Sequence, residues 1–234
     1  MNIGIFGATG NIGQRIVAEA LRRGHQVTAI ARHESRVPKT ARAKTTWRVA
    51  DVLEADAIAR VLDDLDVLVS TFQPGNASED LAELIRRSIA DPGAYAAAAV
   101  ATVSAIAKTR PSLRLIVVGG AGSLEIAPGL SLVDSPQLGA ALDAIGIPRE
   151  YGVAVAGHRD ALNVLRLSNR NWTYVSPPEH IGPGERTGRF RLGGDQPVTG
   201  ADGASRISYE DFAVALVDEV EIPRYIQRRF TVGY

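Results

Sequence analysis

Cysteine is absent from the 234-residue chain. Its absence excludes disulfide bonds, thiolate catalysis and cysteine-ligated zinc within the chain, and it is consistent with a reducing compartment. Histidine is also scarce, and no two histidines have the spacing of paired metal ligands: they are His25, His33, His158 and His180. We therefore expect neither a disulfide framework nor a metal site.

The chain lacks an excess of charge of either sign, because lysine plus arginine and aspartate plus glutamate both number 26. A net charge of zero gives no long-range field that would attract nucleic acid or an anionic membrane surface. We therefore expect a small-molecule ligand, and we expect neither a nucleic acid nor a membrane as a partner.

Long uncharged apolar runs are lacking as well. The alanine-rich stretch near residue 100 comes closest, but it is too short and too weakly apolar to span a bilayer. The first residues form a predicted strand and lack the basic, hydrophobic and cleavage regions of a signal peptide, so we expect a cytoplasmic protein. The alanines would permit close helix packing, either on a sheet or across a homodimer interface.

Apolar runs that are typical of buried strands alternate with helical periods along most of the chain. The predicted strands are IGIFG, QVTAIA, TTWRVA, DVLVST, LRLIVVG and WTYVS. Helices are predicted over residues 12–23, 55–62, 94–109 and 151–167. This alternation predicts an α/β fold, in which a doubly wound parallel sheet is covered by helices on both faces.

Beyond residue 177 the alternation stops. The sequence there predicts loops and short strands, then an amphipathic helix opened by Ser208, and a final strand, RRFTVGY. We interpret residues 1–234 as one nucleotide-binding domain, to which residues 177–234 contribute a small substrate-side lid or subdomain. The basic segment GERTGRFR within it either contacts a phosphate or forms a solvated hairpin.

A glycine-rich turn, GATGNIG, joins the first predicted strand to the first helix. Gly7 permits a tight turn, Gly10 lets backbone amides approach a pyrophosphate, and Gly13 allows the helix to pack closely on the strand. The amino terminus of the helix favours the negative charge. This spacing predicts a dinucleotide-binding cradle, and a purely structural turn is the alternative. The predicted cradle also includes Thr9, Asn11 and Ile12.

GATGNIG resembles the signature of the extended and atypical short-chain dehydrogenase/reductase superfamily, which binds NAD or NADP. The segments GGAGSLEIAPG, WTYVSPPEHIGPGERTGRFRLGGD, SRISYEDFAVALVDEVE and RRFTVGY are similar to the bacterial NADH-flavin reductases of the NAD(P)H-binding, NmrA-like family. The resemblance covers nearly the whole chain and implies a Rossmann-type fold. It implies further cofactor contacts at Asp51, Val52, Ser70, Thr71, Gly119 and Pro177.

Two of these implied contacts have particular roles. Asp51 is expected near the edge of the adenine, with Val52 beside the ring, although Asp51 could equally cap the following helix. Pro177 and the backbone after it are expected to flank the nicotinamide.

No acidic residue directly follows the second predicted strand, where an NAD site usually has one that bonds the ribose 2′-hydroxyl. The chain has Ala31, Arg32 and His33 there. A guanidinium paired to a 2′-phosphate contributes about 1.5 to 3 kcal/mol. We therefore predict NADP in preference to NAD as the cofactor, with Arg32 as the discriminating residue. A solvated loop charge is the alternative for Arg32.

The tyrosine and lysine pair of many short-chain dehydrogenases is incomplete. Ser123 and Tyr151 occupy plausible positions for the catalytic serine and tyrosine, but the residue four past Tyr151 is Val155. Without a lysine, Tyr151 is expected to keep a pKa near about 10 and to be a poor base at neutral pH. His158, seven residues past Tyr151 on the same helix face, is either a polar contact of the site or an ordinary helical histidine.

Two functions remain open. The first is an NAD(P)H-dependent reductase that transfers hydride to a flavin, a quinone or a similar conjugated acceptor, because positioning does most of the work in that reaction. The second is a non-catalytic NADP(H)-binding redox sensor that acts on a partner protein. The long Gly/Pro-rich connections after the fourth and fifth strands favour the enzyme, since ligands bind at that edge of a parallel sheet.

Overall fold

The computed structural model describes residues 1–37, 45–74 and 80–234. The strands, in chain order, are β1 (Asn2–Phe6), β2 (Gln26–Ala31), β3 (Thr45–Val49), β4 (Val67–Ser70), β5 (Arg114–Val118), β6 (Glu125–Ala127), β7 (Leu130–Ser131), β8 (Trp172–Ser176), β9 (His180–Gly182), β10 (Arg191–Gly193), β11 (Arg206–Ser208) and β12 (Arg228–Gly233). The helices are α1 (Asn11–Arg22), α2 (Ala55–Ala59), α3 (Leu81–Ala90), α4 (Ala94–Thr109), α5 (Leu138–Ala144), α6 (Gly152–Arg166) and α7 (Tyr209–Glu221).

A central sheet carries the fold, with the strand order β10, β12, β8, β5, β4, β1, β2, β3. Every neighbouring pair is parallel except β10 and β12, which run antiparallel. The chain progresses outward in one direction from β1 to β3 and in the other from β4 through β5 to β8. The last two strands break this progression, since β12 lies beside β8 and the earlier strand β10 forms the edge. The predicted doubly wound, Rossmann-type fold is confirmed, and its switch point lies between β1 and β4.

Helices cover both faces of this sheet, and alternate strand residues supply the two apolar layers. Ile3 and Ile5 of β1 pack in the layer that contains α1 and α7, whereas Phe6 packs in the layer with α2, α4 and α6. Phe212 and Trp172 are buried in opposite layers. The sheet therefore forms the rigid base from which the loops at its carboxyl edge project.

The alanine-rich stretch forms α4, which packs against α6 and α2 within the chain. Gly157 on α6 permits the close approach, since a Cβ there would lie 2.7 Å from the Tyr95 ring of α4 and 2.4 Å from the main-chain oxygen of Pro92, just before α4. Small side chains thus bring these two helices together over the sheet. Assembly into a homodimer stays a prediction.

The segment after residue 177 joins the main fold at several places. β12 lies between β8 and β10 in the central sheet, α7 packs against α1, and β9 and β11 form a separate two-stranded parallel sheet. Its role as a substrate-side lid stays a prediction.

The basic segment GERTGRFR is largely exposed, and one of its arginines is paired within the protein. Arg186 donates through Nε to Glu19 Oε2 at 2.8 Å, and Glu19 is only 4% exposed. Burial alone would raise the pKa of Glu19, but hydrogen bonds from Arg186, Arg22 and Arg23 outweigh it and hold that pKa well below its usual range. Arg186 therefore fastens the loop before β10 to α1.

Within the described ranges, no single helix is both long and apolar enough to cross a membrane. Only together do α3 and α4 have the length and apolar composition of a membrane span, and the chain bends by 71° between them.

Candidate functional site

The turn between β1 and α1 is built around two glycines that tolerate no side chain. Gly7 has a φ of +76°, and a Cβ there would lie 2.4 Å from Thr71 Oγ1. A Cβ on Gly13 would lie 2.1 Å from the main-chain oxygen of Gly7. The turn is closed by the Gly10 N–H, which donates to the Gly7 oxygen at 2.9 Å. The helix therefore starts directly against the end of the strand.

The amino terminus of α1 is left free for an anion. Gly10 is the N-cap residue, no side chain of the described residues caps it, and the first turn contains no acid. The intrahelical ladder begins with the Gln14 N–H, which donates to the Gly10 oxygen at 2.9 Å. The backbone N–H groups of residues 11–13 thus have no helical acceptor, and they add to the positive end of the helix dipole.

A cavity of about 380 Å³ opens beside this turn, at the carboxyl ends of β1, β2 and β3 and next to the segment after β4. Four predicted cofactor residues line it: Gly7, Thr9, Arg32 and Val52. The other lining residues are Phe6, Ile30, Ala31, His33, Arg36, Ala50, Leu53, Phe72, Gln73, Pro74, Arg87, Ala90, Asp91 and Ala94. The walls are apolar near the sheet, whereas the charged side chains come from the turns and α3.

Basic side chains converge on this cavity from two elements. Arg32, His33 and Arg36 come from the turn after β2, and Arg87 comes from α3. Asp91 is the acid among the described lining residues. Arg32 was predicted from its place after the strand. His33, Arg36 and Arg87 were not predicted as site residues, because no local pattern indicates that they reach the same cavity.

Two predicted residues near the cavity have their polar groups bound to the protein itself. Asp51 Oδ1 accepts the Leu53 N–H at 3.0 Å, so the carboxylate stabilises the turn before α2. Thr71 Oγ1 donates to the main-chain oxygens of Phe6 at 2.9 Å and Gly7 at 3.2 Å. Thr71 thereby holds the glycine turn, while Ser70 is buried at the end of β4.

Ser123 is fully buried in a short turn after β5. Its Oγ donates to the Gly120 oxygen at 2.8 Å and lies 2.9 Å from Ser176 Oγ. Ser176, which the sequence analysis missed, ends β8 directly before the buried Pro177. The serine hydroxyl is thus bound inside the protein, and a catalytic role for Ser123 stays a prediction.

Gly119 and Gly120 give the turn its close packing against two aromatic rings. A Cβ on Gly119 would lie 2.0 Å from the Tyr174 ring, and one on Gly120 would lie 2.7 Å from the His158 ring. The Tyr174 hydroxyl donates to the main-chain oxygen of His158 at 2.7 Å. The turn after β5 therefore packs directly against α6.

Tyr151 and His158 both belong to the α6 region. Tyr151 is the residue before α6, and burial raises the pKa of its phenol above the ordinary value, so that pKa is not the unshifted one expected from the sequence. The His158 ring packs on Tyr95 with 4.0 Å between ring centroids. Burial lowers the pKa of His158 to about 4, so the imidazole is neutral at neutral pH.

Val155 stands at the position of the missing lysine, and it packs against the turn after β5. A Cβ on Gly122 would lie 1.9 Å from Val155 Cγ1. In the described part of the chain, Tyr151 makes no hydrogen bond to Ser123 or His158. The tyrosine, lysine and serine arrangement of short-chain dehydrogenases is therefore replaced here by apolar contact.

The sequence profile of the family described as NAD(P)H-binding matches residues 7–221. The chain belongs to this NAD(P)H-binding family. YwnB of Bacillus subtilis (strain 168) is 35% identical over 237 residues, which cover 99% of this chain and 98% of YwnB.

Two solved structures are similar over the whole chain. A protein from Burkholderia pseudomallei is 38% identical with a TM-score of 0.80, and the match covers 100% of both chains. A proposed NADH-flavin reductase from Streptococcus pneumoniae TIGR4 is 30% identical with a TM-score of 0.77, and the match covers 100% of this chain and 99% of that one.

The glycine turn, the amino terminus of α1 and the cavity beside them suit the nicotinamide cofactor that gives this family its description. The turn at Gly7 and Gly13 leaves no room for side chains, and the free N–H groups of α1 suit a pyrophosphate. The cavity beside them is large enough for an adenosine and has basic side chains at its rim.

Proposed function

We propose that the protein is an NADPH-dependent reductase that transfers hydride to a conjugated acceptor such as a flavin or a quinone. Membership of the NAD(P)H-binding family supports an oxidoreductase role. The similarity to the proposed NADH-flavin reductase of S. pneumoniae supports the acceptor class.

The observation that carries this proposal is the contact between Val155 and Gly122. Dehydrogenases that oxidise alcohols need a lysine at this position to lower the pKa of the tyrosine. Here the neighbouring residue is aliphatic, and burial raises the pKa of Tyr151 further. A phenol in this state is a poor base at neutral pH, so alcohol chemistry is disfavoured.

Reduction of a conjugated ring makes smaller demands on the protein. The bound cofactor supplies the hydride, and the acceptor can take its proton from water afterwards. The tasks of the chain are to hold the phosphates at Gly7 and α1, to hold the adenosine in the cavity, and to fix the turn after β5. The buried hydrogen bonds of Ser123 serve the last of these tasks.

NADP is the preferred cofactor in this proposal. Arg32, His33 and Arg36 lie at the end of the cavity where an adenosine ribose would lie, and Arg87 approaches from α3. Glu34, the first acid after β2, is exposed and does not line the cavity. Arg87 is already paired with Glu83, and Asp91 lines the cavity at the end of α3. A 2′-phosphate beside the turn after β2 would thus meet the cations of that turn.

The test combines binding and turnover. Calorimetry with NADPH should give a saturable signal, and NADPH oxidation should accelerate in the presence of FMN, riboflavin or menadione. Tyr151→Phe should retain most of that rate, because a protonated, buried phenol is not needed as a base. Complete loss of activity in a folded Tyr151→Phe variant would contradict the mechanism, since it would mean that the tyrosine donates an essential proton.

A non-catalytic NADP(H) sensor is the second candidate, and one observation favours it. The Ser123 hydroxyl is enclosed, and the cavity that His158 borders measures only about 20 Å³, which is room for about one water molecule. A sensor would bind NADPH in the calorimeter and leave its oxidation by all three acceptors at the uncatalysed rate. The partner would then be a protein.

A further inference from the structure

Arg229 of β12 is a cation with only 2% of its side chain exposed. Its Nη1 donates to the main-chain oxygen of Ser123, its Nε donates to Asp195 Oδ1 at 2.9 Å, and its Nη2 donates to Glu125 Oε1 at 3.1 Å. One guanidinium therefore connects β12, the segment after β5 and the turn after β10. We call these four residues the Arg229 clamp.

The clamp determines where the turn of residues 120–123 lies. Arg229 holds the Ser123 carbonyl, while the Ser123 hydroxyl is held by Gly120 and Ser176. The two acidic partners are also linked through the backbone, since the Glu125 N–H donates to the Asp195 oxygen at 2.8 Å. Without the guanidinium, the Ser123 carbonyl would lose its side-chain partner and the segment after β5 would lose its link to β12.

A guanidinium is suited to this position for a geometric reason. Burying a cation costs free energy that an apolar side chain of similar size would avoid, so stability alone does not favour arginine here. Only a planar group with several donors can serve three acceptors on two separate segments at once. Lysine would keep the charge but could not reproduce the fork.

The turn that the clamp fixes lies at the carboxyl end of β5, between the ends of β4 and β8. On the proposed function, the adenosine occupies the cavity at β2 and the pyrophosphate lies at α1. The nicotinamide end then extends along this edge toward β5. We infer that Arg229 is a positioning residue for the nicotinamide end of the cofactor, which it serves through the turn at 120–123 without touching the cofactor. This inference rests on the proposed function.

The test compares two ligands that share the adenosine end. NADPH contains the nicotinamide, whereas adenosine 2′,5′-bisphosphate lacks it. In Arg229→Lys, calorimetry should show NADPH binding weakened at least about fivefold, with the bisphosphate changed by less than about twofold. The emission of bound NADPH, which reports the surroundings of the reduced ring, should shift toward that of free NADPH.

A matched control is available at the opposite edge of the sheet. Arg114, at the start of β5, is also buried and pairs with Glu219 at 2.5 Å. Arg114→Lys should lower the melting temperature and leave the ratio of the two affinities at its wild-type value. If Arg229→Lys does not fold, the double variant Asp195→Asn/Glu125→Gln removes the acidic partners of Arg229 and should change the ratio in the same direction.

The outcomes separate the two claims. Equal losses of affinity for both ligands, or an unchanged ratio of the two affinities in every clamp variant, would overturn the positioning role. The proposed function would still stand if the wild-type protein binds NADPH. A wild-type protein that binds neither NADPH nor the bisphosphate would overturn the proposed function, and the inference with it.

Discussion

The three glycines of the GATGNIG turn have different structural roles, although they are equivalent in the sequence motif: Gly7, Gly10 and Gly13. Gly7 needs its positive φ, and Gly13 lies against the Gly7 carbonyl. Gly10 has a φ of −78° and a ψ of 170°, which any residue adopts. Gly7 and Gly13 are required by the fold, whereas Gly10, although buried, has a backbone conformation that a side chain would not strain.

Gly10→Val should therefore separate binding from folding. The new side chain would stand at the amino terminus of α1, where the pyrophosphate must approach the free N–H groups. We expect NADPH affinity to fall at least about tenfold, which corresponds to about 1.4 kcal/mol. Calorimetry measures the affinity, and thermal unfolding checks that the melting temperature stays close to the wild-type value.

Gly194→Val is the control for this prediction, because nothing lies within 4 Å of a Cβ at Gly194. It should leave binding intact. A folded Gly10→Val variant with wild-type affinity would show that the turn is structural only.

Arg32→Ala tests the choice of cofactor. Removing the guanidinium should weaken NADPH about tenfold or more and change NADH by less than about twofold, since only NADPH has a 2′-phosphate. Arg166→Ala, an exposed arginine at the end of α6, is the matched control and should change neither. Similar losses of NADPH and NADH in Arg32→Ala would assign the discrimination to other residues, and Arg36 and Arg87 would be the next to substitute.

The sequence was informative about site residues wherever the signal was local. The glycine turn and Arg32 follow predicted strands directly, so their place at the carboxyl edge could be read from the strand pattern. Arg36, Arg87, Ser176 and Arg229 could not be found in this way, because each reaches its partners through the folding of distant segments. Ser123 was found, but its enclosure by Ser176 and Gly120 depends on contacts across 53 residues of chain.

At the scale of elements, close contact between α4 and α6 shapes the floor of the site. Gly157 lies against the main-chain oxygen of Pro92 and the Tyr95 ring. On the same helix, His158 packs on the other side of that contact against Tyr95 and Gly120. Helix packing and the position of the turn after β5 are therefore coupled through neighbouring residues of α6.

Gly157→Ala should destabilise the protein, because a Cβ 2.4 Å from a backbone oxygen forces the helices apart. Overpacking of this kind costs about 1–3 kcal/mol. Gly152→Ala provides the control on the same helix, since its Cβ would have only an ordinary contact with Leu138 at 3.5 Å. Urea unfolding should show lower stability for Gly157→Ala and no loss for Gly152→Ala; equal effects would contradict the packing argument.

All six strands predicted from apolar runs are confirmed in β1 to β5 and β8, and the final strand is confirmed in β12. These strands could be predicted because they are buried on both faces of the sheet and therefore consist of nearly continuous apolar residues. The pairing of β10 with β12 and of β9 with β11 could not be predicted. β9, β10 and β11 have three residues each, which is too short to show an alternation of apolar and polar residues.

At the scale of the whole molecule, the segment after residue 177 both extends the central sheet and contacts the loops at the carboxyl ends of its strands. β12 lies beside β8 and carries Arg229 to the segment after β5, while the loop before β10 is fastened to α1 by Arg186. The alternation of strands and helices predicted a doubly wound parallel sheet, to which β1 to β5 and β8 contribute. It gave no indication that the chain returns to extend the same sheet, since that depends on pairing between segments more than 50 residues apart.

The stability of the whole molecule should fall in mild acid because of His158. The unfolded imidazole takes up a proton near its ordinary pKa of 6.5, whereas burial lowers the folded pKa to about 4. Between these values the unfolded state binds more protons, so the free energy of unfolding decreases as the pH falls through that window. From pH 7.5 to pH 5 the contribution of this group amounts to about 2 kcal/mol.

Urea unfolding at both pH values measures this loss, and the comparison with His158→Gln isolates the histidine, because other groups titrate in both proteins. The variant should lose about 2 kcal/mol less than the wild type over the same interval. His180→Gln, at an exposed position on β9, is the control for loss of an imidazole outside the core. If His158→Gln keeps the wild-type pH dependence, the imidazole is hydrated in the folded protein, and the packing of its ring between Tyr95 and Gly120 must open in solution.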